Sequence, residues 1–340
     1  MKKLIALAVA ALPMAAMADV TLYGTIEASI ENGKSLSYSG GAAKSTTRID
    51  DTGSLIGFKG SENLGNGLKA IWQVEQALSI DGTNVNGNNT WATRDSFVGL
   101  TGNFGTVRLG KLSSYLNSDM EKYDAWIYGA GVNGATVTSA NTLDTRYNNS
   151  IRYDSPSLNG FKVAAQYGFD EARTTVKGNR SNKAVWSLGA GYENAGYYAD
   201  IGYVSFQDTD ASASKDGNYW RLEGGYNANN LLVALAYGQS KLYKDSAVNS
   251  TKAKEAALTV GYTMGALTPK FTYAHVWDTK VNGTKADDGI NQYVIGVDYA
   301  LSKRTTAYTS FGYVKHDNII VAGTDERKER TLAVGVQHKF

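Results

Sequence analysis

The chain closes on Thr331-Leu-Ala-Val-Gly-Val-Gln-His-Lys-Phe340, in which Leu332, Val334, Val336, His338 and Phe340 alternate with Thr331, Ala333, Gly335, Gln337 and Lys339. A period of two puts one set on each face of an extended strand. The theme recurs upstream. Tyr293, Ile295, Val297 and Tyr299 alternate with Gln292, Val294, Gly296 and Asp298, and Phe161-Lys-Val-Ala-Ala-Gln-Tyr-Gly-Phe169 repeats the pattern. Near the start, Val20, Leu22, Ile26 and Ile30 alternate with Thr21, Tyr23, Thr25, Glu27 and Ser29. No sustained 3.6-residue period competes, so the reading is all-β. With 37 Gly, 22 Tyr and only 3 Pro, the composition supplies turns and β-favouring aromatics throughout.

Turn-forming stretches fall into two length classes. Seven are short, among them Gly102–Gly105, Pro156–Gly160 and Leu301–Arg304; eight are long and polar, among them Glu31–Asp50, Ser79–Thr90, Lys111–Tyr147, Asp208–Gly217 and Lys241–Ala253. The count predicts sixteen strands in a single domain, residues 19–340. Segments of about ten residues suit a tilted bilayer crossing. Short turns at one end and long loops at the other are the layout of a transmembrane antiparallel β-barrel, with periplasmic turns and external loops. Glu27, Lys162, Asp200, Glu223, Glu255 and Asp298 fall on the inward alternates, too many charges for a dry interior. Sixteen strands enclose a lumen wide enough for water. The polar face therefore lines a pore and the apolar face meets lipid, with closure satisfying the backbone groups that hydrocarbon cannot. Tyr167, Phe169, Tyr197, Trp220, Tyr226, Tyr237, Trp277 and Tyr299 are the expected interfacial girdles.

Residues 1–18 stand apart. Lys2 and Lys3, the apolar run from Leu4 to Leu12 and Ala16-Met-Ala18 read as a secretory signal peptide cleaved after Ala18. Its apolar run, broken by Pro13, is too short to span a membrane. Charge is balanced, 34 Lys and Arg against 32 Asp and Glu, and equal once Lys2 and Lys3 leave. That argues against a nucleic-acid binder. Absence of Cys excludes a disulfide scaffold and a cysteine-ligated metal. Enzyme motifs fail on context. Gly129-Ala-Gly-Val-Asn-Gly134 has dinucleotide spacing but no strand and helix around it, and Gly105–Lys111 is followed by Leu112 where a phosphate loop needs a hydroxyl. Asp208, Asp210 and Asp216 lack the glycine of an EF-hand turn, and His275, His316 and His338 form no zinc pair. The chain reads as a non-enzyme without cofactor or metal.

The longest connection, Lys111–Tyr147, far exceeds the usual length of about 4–6 residues. The expectation is that it folds into the lumen and narrows it. It carries Asp119, Glu121 and Asp124, with Trp126 and Tyr128 as packing anchors. Arg48, Arg94, Arg146 and Arg152 are the candidates for a basic wall, Lys69 and Arg108 weaker ones, and Glu75 a local counter-charge. Arg94 falls in the expected fourth strand, and the even spacing of Arg146 and Arg152 puts both on one face of the sixth. Separated basic and acidic sides would set a transverse field across the pore. Basic wall residues outnumber loop acids, which favours a mild anion preference. Gly24, Ala28, Gly57 and Gly335 read as small residues for contact between barrels.

Several segments carry a family likeness: Asp19-Val-Thr-Leu-Tyr-Gly-Thr-Ile26, the stretch from Gly57 to Gln76, Arg94-Asp-Ser-Phe-Val-Gly-Leu100, Asn149-Ser-Ile-Arg-Tyr-Asp-Ser-Pro156 and Gly335-Val-Gln-His-Lys-Phe340. In order and over the whole chain, they resemble the general porins of Gram-negative bacteria, most closely the Neisseria-type and other β-proteobacterial trimeric porins. The resemblance implies a sixteen-stranded barrel, a homotrimer in the outer membrane among lipid and lipopolysaccharide, and passive diffusion of ions and small hydrophilic solutes. It implies a third loop folded into the pore, although the proline-containing motif frequent there is missing from this chain. It also implies that Arg48, Arg94 and Arg146 face acidic residues on that loop, and that Phe340 is the signal read by the barrel-assembly machinery. From residues alone, a substrate-specific channel and a surface adhesin or structural barrel stay open as alternatives.

Overall fold

Alternation over ten or more residues closes here into a cylinder. The computed structural model describes residues 19–34, 45–51, 53–82, 91–126, 133–134, 145–171, 175–176, 179–180, 183–210, 215–244, 249–317 and 328–340. The expected signal peptide, Tyr128 and parts of the external loops lie outside them. Among the described residues sixteen antiparallel strands form the wall. β1 is Asp19–Lys34, and β2 runs in two pieces, Thr46–Asp50 and Leu55–Gly65. β3 to β8 are Leu68–Ala77, Ser96–Gly102, Gly105–Ser113, Arg146–Asp154, Phe161–Gly168 and Val185–Asn194. β9 to β12 are Tyr197–Asp210, Lys215–Ala228, Leu231–Lys244 and Asn249–Tyr262. β13 to β16 are Leu267–Val281, Ile290–Ala300, Thr305–His316 and Lys328–Lys339. Each pairs with the next. β1 pairs back on β16, with Ile26 opposite His338 and Ile30 opposite Val334, so the sheet has no free edge.

The tightest connections are two-residue turns with left-handed backbone at both positions: Asn66 and Gly67 (φ 50° and 78°), Ala195 and Gly196 (52° and 86°), Asn229 and Asn230 (51° and 64°). Such turns match the twist of antiparallel strands. Asp19 and Phe340 both lie at this rim: Asp19 is opposite Ser61, and Gly24 and Phe340 exchange two backbone hydrogen bonds of 3.1 Å. At the other rim, β9 to β12 run further than expected. Most of Asp208–Gly217 and Lys241–Ala253, expected as loops, is drawn into paired strand, because the ladder continues through polar residues above the apolar band.

Val20, Leu22, Ile201, Leu235 and Ile295 project outward and are exposed, while Glu27, Asp200, Glu223 and Glu255 lie on the inner face, buried. Two of the small residues expected on the outside face the lumen instead. Gly57 is opposite Tyr23, and the ring of Tyr23 covers its backbone; Gly335 lies under the ring of Tyr308. A cross-strand aromatic covering a bare glycine explains both. Gly24 does face outward, beneath the ring of Phe340.

Candidate functional site

The inner face of β8 to β13 is unusually bare. Gly189, Gly191, Gly202, Ala234, Ala257 and Ala274 occupy inward positions there, each bordered by the long connection after β5. That connection begins with Ser114, whose hydroxyl accepts from Asn117 N (3.2 Å) and caps the single helical turn α1, Tyr115–Asp119. The ring of Tyr115 lies on Gly189, and Leu116 and Met120 fill the space over Gly202; with Tyr147, Val204 and Tyr219 they form one buried apolar cluster. Tyr123 and Trp126 join Tyr198, Ala234, Ala257, Ala274 and Val294 in a second. Burying a large apolar side chain contributes roughly 1.5–3 kcal/mol, and α1 and its extension bury five. The apolar residues have a seat inside the barrel and none outside it.

Polar contacts fix the path. Tyr115 Oη donates to Asp200 (2.6 Å), and Tyr123 N to Glu223 (3.1 Å). Arg221 donates to the carbonyls of Leu116 (2.8 Å) and Met120, acceptors that the short helix leaves open. Trp126 Nε1 donates to Thr272 (3.0 Å) and Lys270 Nζ to the Ala125 carbonyl (2.6 Å). Farther on, Asn133 donates to Ser310 (2.8 Å) and Gln292 to the Gly134 carbonyl (2.6 Å). The described part of the loop thus runs along the inner wall from β5 to β15.

Its root is held by charge. Arg152, buried, donates to the Ser113 carbonyl (2.8 Å), Ser118 Oγ (2.7 Å), Asp119 (2.8 Å) and Asp154 (2.6 Å). Lys162 adds a second contact to Asp119 (2.9 Å). Burial works to raise the Asp119 carboxyl, but hydrogen bonds from Ser118, Arg152 and Lys162 outweigh it and hold the group below its ordinary 3.8. Asp95 accepts from Ser113 N (2.7 Å), Ser113 Oγ (2.6 Å) and Arg146 (2.7 Å). There too burial raises and the Ser113 and Arg146 contacts prevail, so Asp95 also sits below 3.8.

The expected wall is only partly assembled as read. Arg48 pairs with Glu31 (3.2 Å) and Asp50 (2.6 Å), Arg94 with Glu75 (2.5 Å) and Arg146 with Asp95 (2.7 Å). Their carboxylate partners therefore stand on the wall. Of the loop acids, Asp119 pairs with one of the four arginines, Arg152. Glu121 is exposed and Asp124 half-exposed on the loop. Arg94 precedes β4 instead of lying in it, its N–H bonded to the Glu75 carbonyl (3.0 Å). Arg146 and Arg152 do not share a face by simple alternation. The register shifts opposite Gly110 and Leu112, Asn149 takes φ 50°, and Tyr147, the residue after Arg146, takes a buried inner position in the cluster with Tyr115. Lys69 and Arg108 are on inner alternates, opposite Thr101 and Gly99. Arg221, Lys270, Lys162 and Asp95 were missed as site residues; a signal existed in the Gly and Ala alternates of β8 to β13, which mark where a loop must seat.

A model of the Gram-negative porin family matches residues 4–319. The major outer membrane protein P.IB of Neisseria meningitidis serogroup A is 40% identical over 350 residues, covering 100% of this chain and 99% of the relative; that of Neisseria lactamica is 37% identical with the same coverage. Among solved structures, the anion-selective porin from Comamonas acidovorans superposes with a TM-score of 0.80 at 25% identity, over 95% of this chain and 100% of its own.

Proposed function

The chain belongs to the Gram-negative porin family, and on that premise we propose that its narrowed lumen favours small anions mildly over cations. The protein is a water-filled, non-enzymatic channel of the outer membrane, crossed passively by ions and small hydrophilic solutes. The observation carrying the selectivity is the orientation of the wall pairs. Arg48 is 55% exposed against 2% for Glu31, Arg94 29% against 11% for Glu75, and Arg146 23% against 16% for Asp95. Each pair turns its positive end toward water and its negative end into the wall. Glu121 and Asp124 on the loop supply the acidic side of a transverse field, and fields of this kind act strongly between low-dielectric walls. Arg152 and Asp119 serve as the pin that holds the loop, and Glu75 as the counter-charge that orients Arg94.

Reversal potentials across a bilayer in a salt gradient test the reading. The wild type is expected to favour anions and Arg94→Glu to move toward cations; a cation-preferring wild type, or no movement, overturns it. The same reading extends to the life of the chain. Residues 1–18 are removed on export, the mature barrel forms a homotrimer beside lipopolysaccharide, and Phe340 is read by the barrel-assembly machinery. The exposed apolar surface of Val20, Leu22, Ile30, Val334 and Val336 beside the seam supports the trimer, and the terminal ring covering Gly24 supports the role of Phe340.

A further inference from the structure

Asp200 on β9 and Glu223 on β10 are directly opposite one another, both inward and both nearly closed to water, 5% and 4% exposed. Like charges in that relation destabilise a sheet. The neighbours along the same cross-strand row, Gly191 on β8 and Ala236 on β11, bring no cation to them. One level nearer the short turns, Glu193 on β8 is opposite Tyr198 on β9. Two polar atoms of this corner, Glu223 Oε2 and Tyr198 Oη, are buried with no hydrogen-bond partner among the described residues.

The loop answers with Lys122. Its Nζ stands 4.5 Å from the ring centroid of Tyr198, 3.6 Å from Glu193 and 3.9 Å from Asp200. Glu223 feels the charges of Arg221, Lys122 and Asp200, but Arg221 turns N–H groups to the Leu116 and Met120 carbonyls. On either side of Lys122 the same two carboxylates hold the loop, Asp200 through the Tyr115 hydroxyl and Glu223 through the Tyr123 N–H. A ring face suits an organic cation. Carboxylates at these separations suit an ammonium and not a metal ion, which takes its oxygens at about 2.0–2.6 Å.

We propose that this corner is an ammonium niche in the lumen wall, filled from the loop by Lys122 as a tethered ligand, and that Lys122 is thereby the positioning residue for the middle of the throat. The ligand class is a primary ammonium. It brings a compact charge to Glu193, Asp200 and Glu223, N–H donors to the open oxygens, and a size that fits against Tyr198. Emptied of Lys122, the niche takes a free ammonium of the same chemistry. The inference rests on the loop narrowing the lumen and is independent of which ion the channel favours.

The test is planar-bilayer recording of the purified protein. Lys122→Ala is expected to lengthen the time spent in wider, noisier open levels roughly tenfold, the combined weight of an ammonium on a ring face and one half-exposed ion pair. Methylammonium, at concentrations too low to alter bulk conductance, should restore the quiet level of Lys122→Ala and leave the wild type as it was. Tetramethylammonium, larger and without N–H donors, should restore nothing. Lys122→Arg, which keeps a cation, should recover most of the quiet level. If Lys122→Ala fails to insert, Glu193→Gln carries the test through a rise in noise of roughly threefold. A quiet channel in the inserted variant, or rescue by both ammonium ions alike, overturns the niche. Failure of the premise reads differently, as a mean conductance left unchanged when residues 119–134 are deleted.

Discussion

Arg152 sits beneath the loop with four acceptors around one guanidinium, and that geometry decides what a substitution does. Arg152→Ala leaves Asp119 to Lys162 and Asp154 to Arg108; breaking a buried pair costs about 3–5 kcal/mol where a charge is left uncompensated, and these remaining partners with the partial exposure of Asp119 (21%) point to the lower end. Expected are a noisier, larger single-channel conductance and protease cleavage within residues 114–126, in a barrel that still folds. Arg152→Lys keeps the charge and loses the planar fork, so it should restore only part of the wild-type conductance. Gly189→Val is the complementary test from the wall. Any side chain there meets the ring of Tyr115, so α1 should lift and conductance rise without change in the wall's own charge. A conductance equal to wild type would show that α1 does not narrow the lumen.

At the scale of the loop, two of the carboxylates that seat it, Asp95 and Asp119, must be ionised to hold its root. Asp95 and Asp119 both lie below 3.8 in the folded protein. A depressed folded-state value contributes stability that is complete above the unfolded value and lost as pH falls through the folded one. The difference in conductance between the wild type and Asp119→Asn should therefore stay constant from neutrality down to about 4 and close only well below 3.8; a difference that closes near pH 6 would contradict this. Deleting residues 119–134 should raise conductance at every pH. The loop's existence and inward course were legible in its length and in Trp126, whereas its anchoring was not. Asp95, Lys162, Arg221 and Lys270 lie outside the loop in sequence, and only the register of β4, β7, β10 and β13 brings them to it. The paired arginines illustrate the same limit. Periodicity puts Arg146 and Arg152 on one face, but an irregularity at Asn149 separates them, and nothing in the spacing of polar residues announces it. The sixteen strands were readable because each repeats the same two-residue period against lipid; their outer ends were not, because above the membrane polar residues on both faces leave no period to read.

For the whole barrel the decisive place is the seam. Removing Phe340 deletes two backbone hydrogen bonds to Gly24 and uncovers that glycine. The expected outcome is a lower temperature for loss of the compact, heat-modifiable band on electrophoresis and a smaller yield of inserted protein; an unchanged midpoint would mean the seam is held elsewhere. Glu27 and Gln337, bonded at 2.6 Å, are 310 positions apart. Trp126 waits for Thr272, 146 positions downstream, and Asn133 for Ser310, 177 downstream. Contacts across such separations form only after much chain entropy has been surrendered. The far part of a segment made in the first half of synthesis, from Trp126 onward, thus has no resting place until nearly the last strand is in the sheet. The order of events is written into the path of the loop: the cylinder exists first as a wide, leaky ring, and the throat is the last part of the molecule to acquire its shape.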